Sequence, residues 1–134
     1  MLKLTRGETG FSLAYDGRTI FSHTLTEPML YLGLGSETID MHHGNFHISD
    51  EVAERIPFCA FTAVQDEGGV AIRLYKDYHA AAFTLLLREQ EGRLQITGSC
   101  DNSRYNRLWL KIFAEPEEHV YGLGEQFSSL DLRG

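Results

Sequence analysis

The chain has 134 residues, with 12 lysines and arginines against 19 aspartates and glutamates and a formal net charge of −7. A hydrophobic fraction of 43% and a charged fraction of 23% exclude a wholly disordered chain and fit one domain that buries about two-thirds of its unfolded surface. The acidic balance and the scattered basic residues exclude a nucleic-acid binder and a polybasic membrane contact.

The first residues, Met1-Leu2-Lys3-Leu4-Thr5-Arg6-Gly7-Glu8, meet charge and glycine at once. They form no apolar signal core, and no later run approaches eighteen uncharged apolar residues, so neither export nor a membrane span is expected. Cys59 and Cys100 are too few for a disulfide framework and lack metal-ligand spacing; they are expected as buried free thiols. Asn45, Asn102 and Asn106 are followed two places on by His47, Arg104 and Leu108, so no Asn-x-Ser/Thr acceptor occurs. A cytoplasmic protein is expected.

Along the chain, short runs with period-two alternation recur between glycine-rich and acidic turns, the pattern of antiparallel strands. Asp16-Gly17 separates Phe11–Tyr15 from Arg18–His23, a strong hairpin signal. Glu67-Gly68-Gly69 separates Cys59–Val64 from Val70–Tyr75, and Glu89–Gly92 separates Ala82–Leu87 from Arg93–Thr97, which predicts two more hairpins. Between them, Ser49 is positioned to cap a short helix over Asp50–Arg55, with acids in its first turn and Pro57 stopping it. In Asn106–Phe113 the set Leu108, Leu110 and Ile112 is expected on the core face, opposite Arg107, Trp109 and Lys111. Eight to ten strands and at most one short helix predict an all-β fold, an antiparallel β-sandwich over residues 1–134.

Most candidate sites dissolve on inspection. Gly33-Leu34-Gly35 and Gly122-Leu123-Gly124 do not complete a dinucleotide fingerprint and open no helix; these glycines serve backbone turns or close approach. His42, His43 and His47 cluster near Asp40. On one strand His43 and His47 would face the same way and His42 the other, so a polar loop is favoured over a metal site. Cys59 lies in the apolar run Pro57-Phe58-Cys59-Ala60-Phe61, where a thiol is expected to pack in the core with little reactivity, and no Ser nucleophile elbow occurs. Asp16, Glu67, Glu89, Glu91, Glu117 and Glu118 sit at turns or caps. Glu125, Gln126 and Phe127 differ: a carboxylate, an amide and an aromatic ring follow a double-glycine bend, a set able to hydrogen-bond sugar hydroxyls and stack on a ring face. Trp109 is a second candidate, as the platform of a free-standing carbohydrate-binding module. A mutarotase-like or cupin-like enzyme using His42, His43 or His47 is a third reading.

His119-Val120-Tyr121-Gly122-Leu123-Gly124-Glu125-Gln126-Phe127, continuing to Leu130-Asp131-Leu132-Arg133-Gly134, resembles the segment that closes the N-terminal part of family 31 glycoside hydrolases, the α-glucosidase and α-xylosidase family. Glu-Gln-Phe-Ser followed by Asp-Leu-Arg-Gly resembles the sulfoquinovosidase branch. Ile39–Asp50 and Asn106–Leu110 with Pro116–His119 are similar to the same branch. The departures are Ser129-Leu130, where the branch has an aromatic pair, and His42-His43, where a different bulky pair stands.

The resemblance implies a galactose-mutarotase-like β-sandwich that precedes a (β/α)8 barrel in a longer enzyme. The two catalytic aspartates of the family, about 5 Å apart for retaining chemistry, lie in that barrel and have no counterpart here. It implies no catalytic residue, no metal and no cofactor in this chain, and a carbohydrate substrate met through the barrel, with Glu125, Gln126 and Phe127 framing the pocket mouth. The abrupt end at Gly134 is expected to leave apolar surface and open strand edges, and hence self-association.

Overall fold

The computed structural model describes residues 1–77 and 81–119. Among the described residues there are ten strands and no helix: β1 (Leu2–Arg6), β2 (Gly10–Tyr15), β3 (Arg18–Thr24), β4 (Leu30–His42), β5 (Asn45–Pro57), β6 (Ala60–Asp66), β7 (Gly69–Tyr75), β8 (Ala82–Gln90), β9 (Arg93–Cys100) and β10 (Arg107–Leu110). They form three antiparallel sheets, ordered β1-β2-β3, β10-β4-β5 and β6-β7-β8-β9.

The three expected hairpins form, and each turn has a local cause. Asp16 (φ 49°) and Gly17 (φ 82°), like Glu91 (φ 53°) and Gly92 (φ 70°), make two-residue turns with both central residues left-handed, the type whose twist matches paired strands. At the β6–β7 turn the Gly68 N–H donates to Asp66 Oδ1 at 2.7 Å, a local side-chain clasp.

Inward residues of all three sheets meet in one core. In the four-stranded sheet they fall in cross-strand rows: Ala63 beside Ile72 and Leu85, and Leu74 beside Phe83. Leu13 and Phe21 come from the first sheet, and Met29, Leu30 and Leu32 from the start of the second. All-β patterning with one shared core is the sandwich expected from the sequence.

Three sequence expectations fail. Asp50–Arg55 is not a helix but part of the thirteen-residue strand β5. Its neighbours alternate as Phe46, Ile48, Asp50 and Val52 against His47, Ser49 and Glu51, and pairing of Ser49–Arg55 with Gly33–Thr38 uses the backbone groups a helix cap would need. In Asn106–Phe113 the direction is right and the burial is not. Leu110 packs on the core, but Leu108 is 52% exposed on the four-residue edge strand β10, and Ile112, past the end of that strand, is 62% exposed. The cysteines are free but half-buried rather than fully buried.

The one buried polar side chain among the described residues is His23, with no exposed surface. Its Nδ1 accepts the Met29 N–H at 3.2 Å and its Nε2–H donates to the Cys59 carbonyl at 2.8 Å, which fixes the neutral tautomer. The ring stacks on Phe11 at 5.1 Å and meets Phe61 edge-on at 5.3 Å. Burial holds its pKa below the usual histidine value, outweighing the opposite effect of the Cys59 carbonyl.

A depressed pKa means that the unfolded chain binds the proton more readily than the folded one. Folding stability is therefore full above the ordinary value of 6.5 and falls as pH drops from there toward the folded pKa. Denaturant titrations across this range should show that slope, at most about 1.4 kcal/mol per pH unit. His23→Leu should abolish it and cost about 1–3 kcal/mol for each backbone group left unpaired.

Candidate functional site

The residues singled out from the sequence do not converge. Glu125, Gln126 and Phe127 lie outside the described residues. His42, His43 and His47 occupy the tip of the β4–β5 hairpin, where His43 (φ 50°) and Gly44 (φ 80°) form a fourth two-residue turn. The turn reverses the expected parity: Asp40 pairs with His47 and His42 with Asn45, so His42 and His47 share a face and His43 belongs to the turn. The His42 and His43 rings meet edge-on at 4.2 Å. Among the described residues no three His, Cys, Asp or Glu side chains gather as a metal site.

Trp109, by contrast, belongs to a built cluster. It pairs with Tyr31 across β10 and β4, on the face of the β10-β4-β5 sheet opposite the buried Leu30 and Leu32. Arg55 of β5 sets its guanidinium carbon 4.5 Å from the Tyr31 ring centre and 5.0 Å from that of Trp109, and the Lys111 ammonium lies 5.2 Å from Tyr31. These are cation–π distances. The indole also lies against Gly33, where an added Cβ would be 2.7 Å from the ring and 2.3 Å from the Glu54 carbonyl oxygen.

One strand-step further out, Arg107 and Asp50 are paired, with Nη2 and Oδ1 2.6 Å apart. This bond holds the Asp50 carboxyl below and the Arg107 guanidinium above their ordinary pKa values. Asn106 fastens the same region by donating to the Gly35 carbonyl at 2.8 Å and accepting the Gly35 N–H at 2.9 Å.

This cluster presents cations over aromatic rings and offers no general acid–base pair. Trp109 is half-buried under its neighbours instead of offering the bare ring that a sugar-stacking platform needs. The sequence reading picked out Trp109 and missed Tyr31, Arg55 and Lys111; assigning Arg55 to a helix removed it from the strand that places it. A shallow depression of about 530 Å³ lies by the β6–β7 turn, lined in part by Asp66, Glu67, Val70, Leu86 and Arg88. It opens to solvent and its carboxylates are the turn's own. No helix among the described residues is long and apolar enough to cross a membrane.

An antiparallel sandwich hosts many unrelated functions, so the fold by itself assigns no role. The comparisons with known proteins narrow the class. The chain is a relative of the GH31 sulfoquinovosidases and corresponds to a segment of under a fifth of their length.

It is 38% identical over 124 residues to the sulfoquinovosidase of Escherichia coli (strain K12), covering 92% of this chain and 18% of that protein. It is 37% identical over 127 residues to the sulfoquinovosidase of Agrobacterium fabrum, covering 93% and 18%. A solved GH31 family sulfoquinovosidase from E. rectale, in complex with an aza-sugar inhibitor, superposes with a TM-score of 0.72 at 31% identity, over 98% of this chain and 19% of that one. No family model matches the chain.

The close approach at Gly33 is directly testable, because Trp109 is the single tryptophan. Gly33→Ala should push the indole off the strand and shift its fluorescence emission to the red, with a loss of about 1–3 kcal/mol from overpacking.

Proposed function

We propose that residues 1–134 are the non-catalytic N-terminal β-sandwich of a longer retaining α-glycosidase that hydrolyses α-sulfoquinovosides or α-glucosides. The domain braces a (β/α)8 barrel that holds the two catalytic aspartates. Glu125, Gln126 and Phe127 frame the mouth of the barrel's pocket and contribute to substrate binding. The enzyme works in the cytoplasm, a reading supported by the free cysteines and the lack of an N-glycosylation acceptor. Taken alone, the domain associates with itself through apolar surface that it exposes.

The observation that carries this reading is the match itself: more than nine-tenths of the chain aligns at 37–38% identity with only 18% of each sulfoquinovosidase.

Two experiments test the proposal. The purified chain should release no nitrophenol from an aryl α-sulfoquinovoside above buffer, and turnover that survives further purification would overturn its non-catalytic role. Grafted in place of the matching segment of the E. coli sulfoquinovosidase, the chain should give an active chimera. In that chimera Glu125→Ala or Phe127→Ala should lower kcat/KM about tenfold, equivalent to about 1.4 kcal/mol; an unchanged value would remove these residues from the pocket.

A further inference from the structure

The β4–β5 hairpin changes its apolar side partway along. Near the core, the even positions of β4 are apolar and buried, Leu30 and Leu32, with Ile56 of β5 beside them. Beyond Leu34 and Gly35 the register shifts, so that Glu54 pairs with Leu34 but Val52 pairs with Gly35, leaving Ala53 as the extra residue. Past this bulge the even face is polar: Ser36 pairs with Glu51, Thr38 with Ser49, Asp40 with His47. The opposite face carries the directly paired Ile39 and Ile48, then Met41 and Phe46, with Val52 below them. A strand pair whose apolar residues move to the other side is patterned for a second partner, not for its own core.

The structure leaves that side bare. Ile39 is 59%, Met41 65%, Phe46 68% and Ile48 60% exposed. β10 pairs only with Leu30–Gly33, so the outer part of the hairpin is a two-stranded ribbon with both edges open. Such a ribbon is marginal in water unless something packs on it. The five apolar side chains leave roughly 100 Å² each, about 500 Å² together, which suits the apolar centre of an interface burying about 800 Å² per partner.

We infer that a second copy of this chain covers this face, the two hairpins packing face to face about a two-fold axis. The inference rests on the self-association proposed above and gives it a surface. The face is complementary to itself. Its tip is aliphatic and thioether (Ile39, Ile48, Met41) with Phe46, and its base carries Tyr31 and Trp109 with the cations Arg55 and Lys111. A copy turned through the two-fold axis lays Met41 and Phe46 over the partner's Tyr31 and Trp109, favourable for ring–ring and sulfur–ring contact. It also brings Glu37 toward the partner's Gly35, beside which Arg107 lies. The face holds three cations, Arg55, Arg107 and Lys111, against two anions, Glu37 and Asp50, although the whole chain carries −7. With one cation in excess, the face repels its own copy only weakly, and the −7 of each whole chain is the charge that opposes association.

Sedimentation equilibrium of the chain over a wide concentration range tests this. The expected result is a monomer–dimer equilibrium in which Met41→Ser/Phe46→Ser raises Kd by at least about tenfold, while Ile96→Ser on the other exposed sheet leaves it unchanged. Both changes are at exposed positions, and far-UV circular dichroism verifies the fold. Hydrogen exchange on the unmodified chain supplies a readout without mutation: residues 36–52 should gain protection with concentration. A monomer at every concentration overturns both the interface and the self-association. A dimer indifferent to Met41 and Phe46, an open-ended polymer, or protection elsewhere overturns the interface alone.

Discussion

A single uncharged imidazole sits where the three sheets converge. His23 belongs to the first sheet, accepts a backbone N–H from Met29 at the entry to the second, and donates to the carbonyl of Cys59 at the entry to the last. Phe11 and Phe61 enclose the ring. Two backbone groups that no ladder satisfies are thereby paired inside an apolar core, where leaving them unpaired would cost more than an ordinary hydrogen bond contributes. The arrangement works only while the ring is neutral, since a proton on Nδ1 would face the Met29 N–H instead of receiving it.

Position flows outward from that junction. Met29 also accepts the Lys111 N–H at 2.8 Å, and Ile20 of the first sheet accepts the Phe113 N–H at 2.8 Å. The segment after β10 is thus stitched along two sheets as it leads toward the part of the chain that carries Glu125, Gln126 and Phe127. The beginning of β4, fixed on the core, holds a hairpin whose far half has no contact with that core. The result is a rigid seat that carries a projecting arm.

What the sequence disclosed followed the range of the forces involved. Asp16-Gly17 and Glu91-Gly92 turn the chain by their own backbone preferences, so their hairpins were readable from a few residues. Ser49–Arg55 obeyed every local rule for a capped helix, yet its partner strand lies across a turn at His43-Gly44 whose first residue is an unusual choice there. The ladder to β4 overrides local propensity. Leu108 was given the right side but too much burial, because alternation tells direction and not what stands opposite, and Ile112 lies past the end of the strand. At the site, the indole of Trp109 was legible as a large exposed-strand aromatic; Arg55 reached it only through the pairing the sequence reading lacked. The resemblance of whole segments to family 31 glycoside hydrolases was the most informative signal, and the 37–38% matches bear it out.

The extra residue Ala53 has a consequence for how this hairpin could diverge. Because β4 carries no matching insertion, Ile56 keeps to the core side while Val52, Ile48 and Phe46, all an even number of residues from it, fall on the other. Removing Ala53 would close the ladder and leave Ile48 beside Ile39 and Phe46 beside Met41, with Leu32 and Ile56 undisturbed beneath. Loss of that one codon would therefore straighten the arm while sparing its distal surface, so the bend and the oily tip are free to change separately.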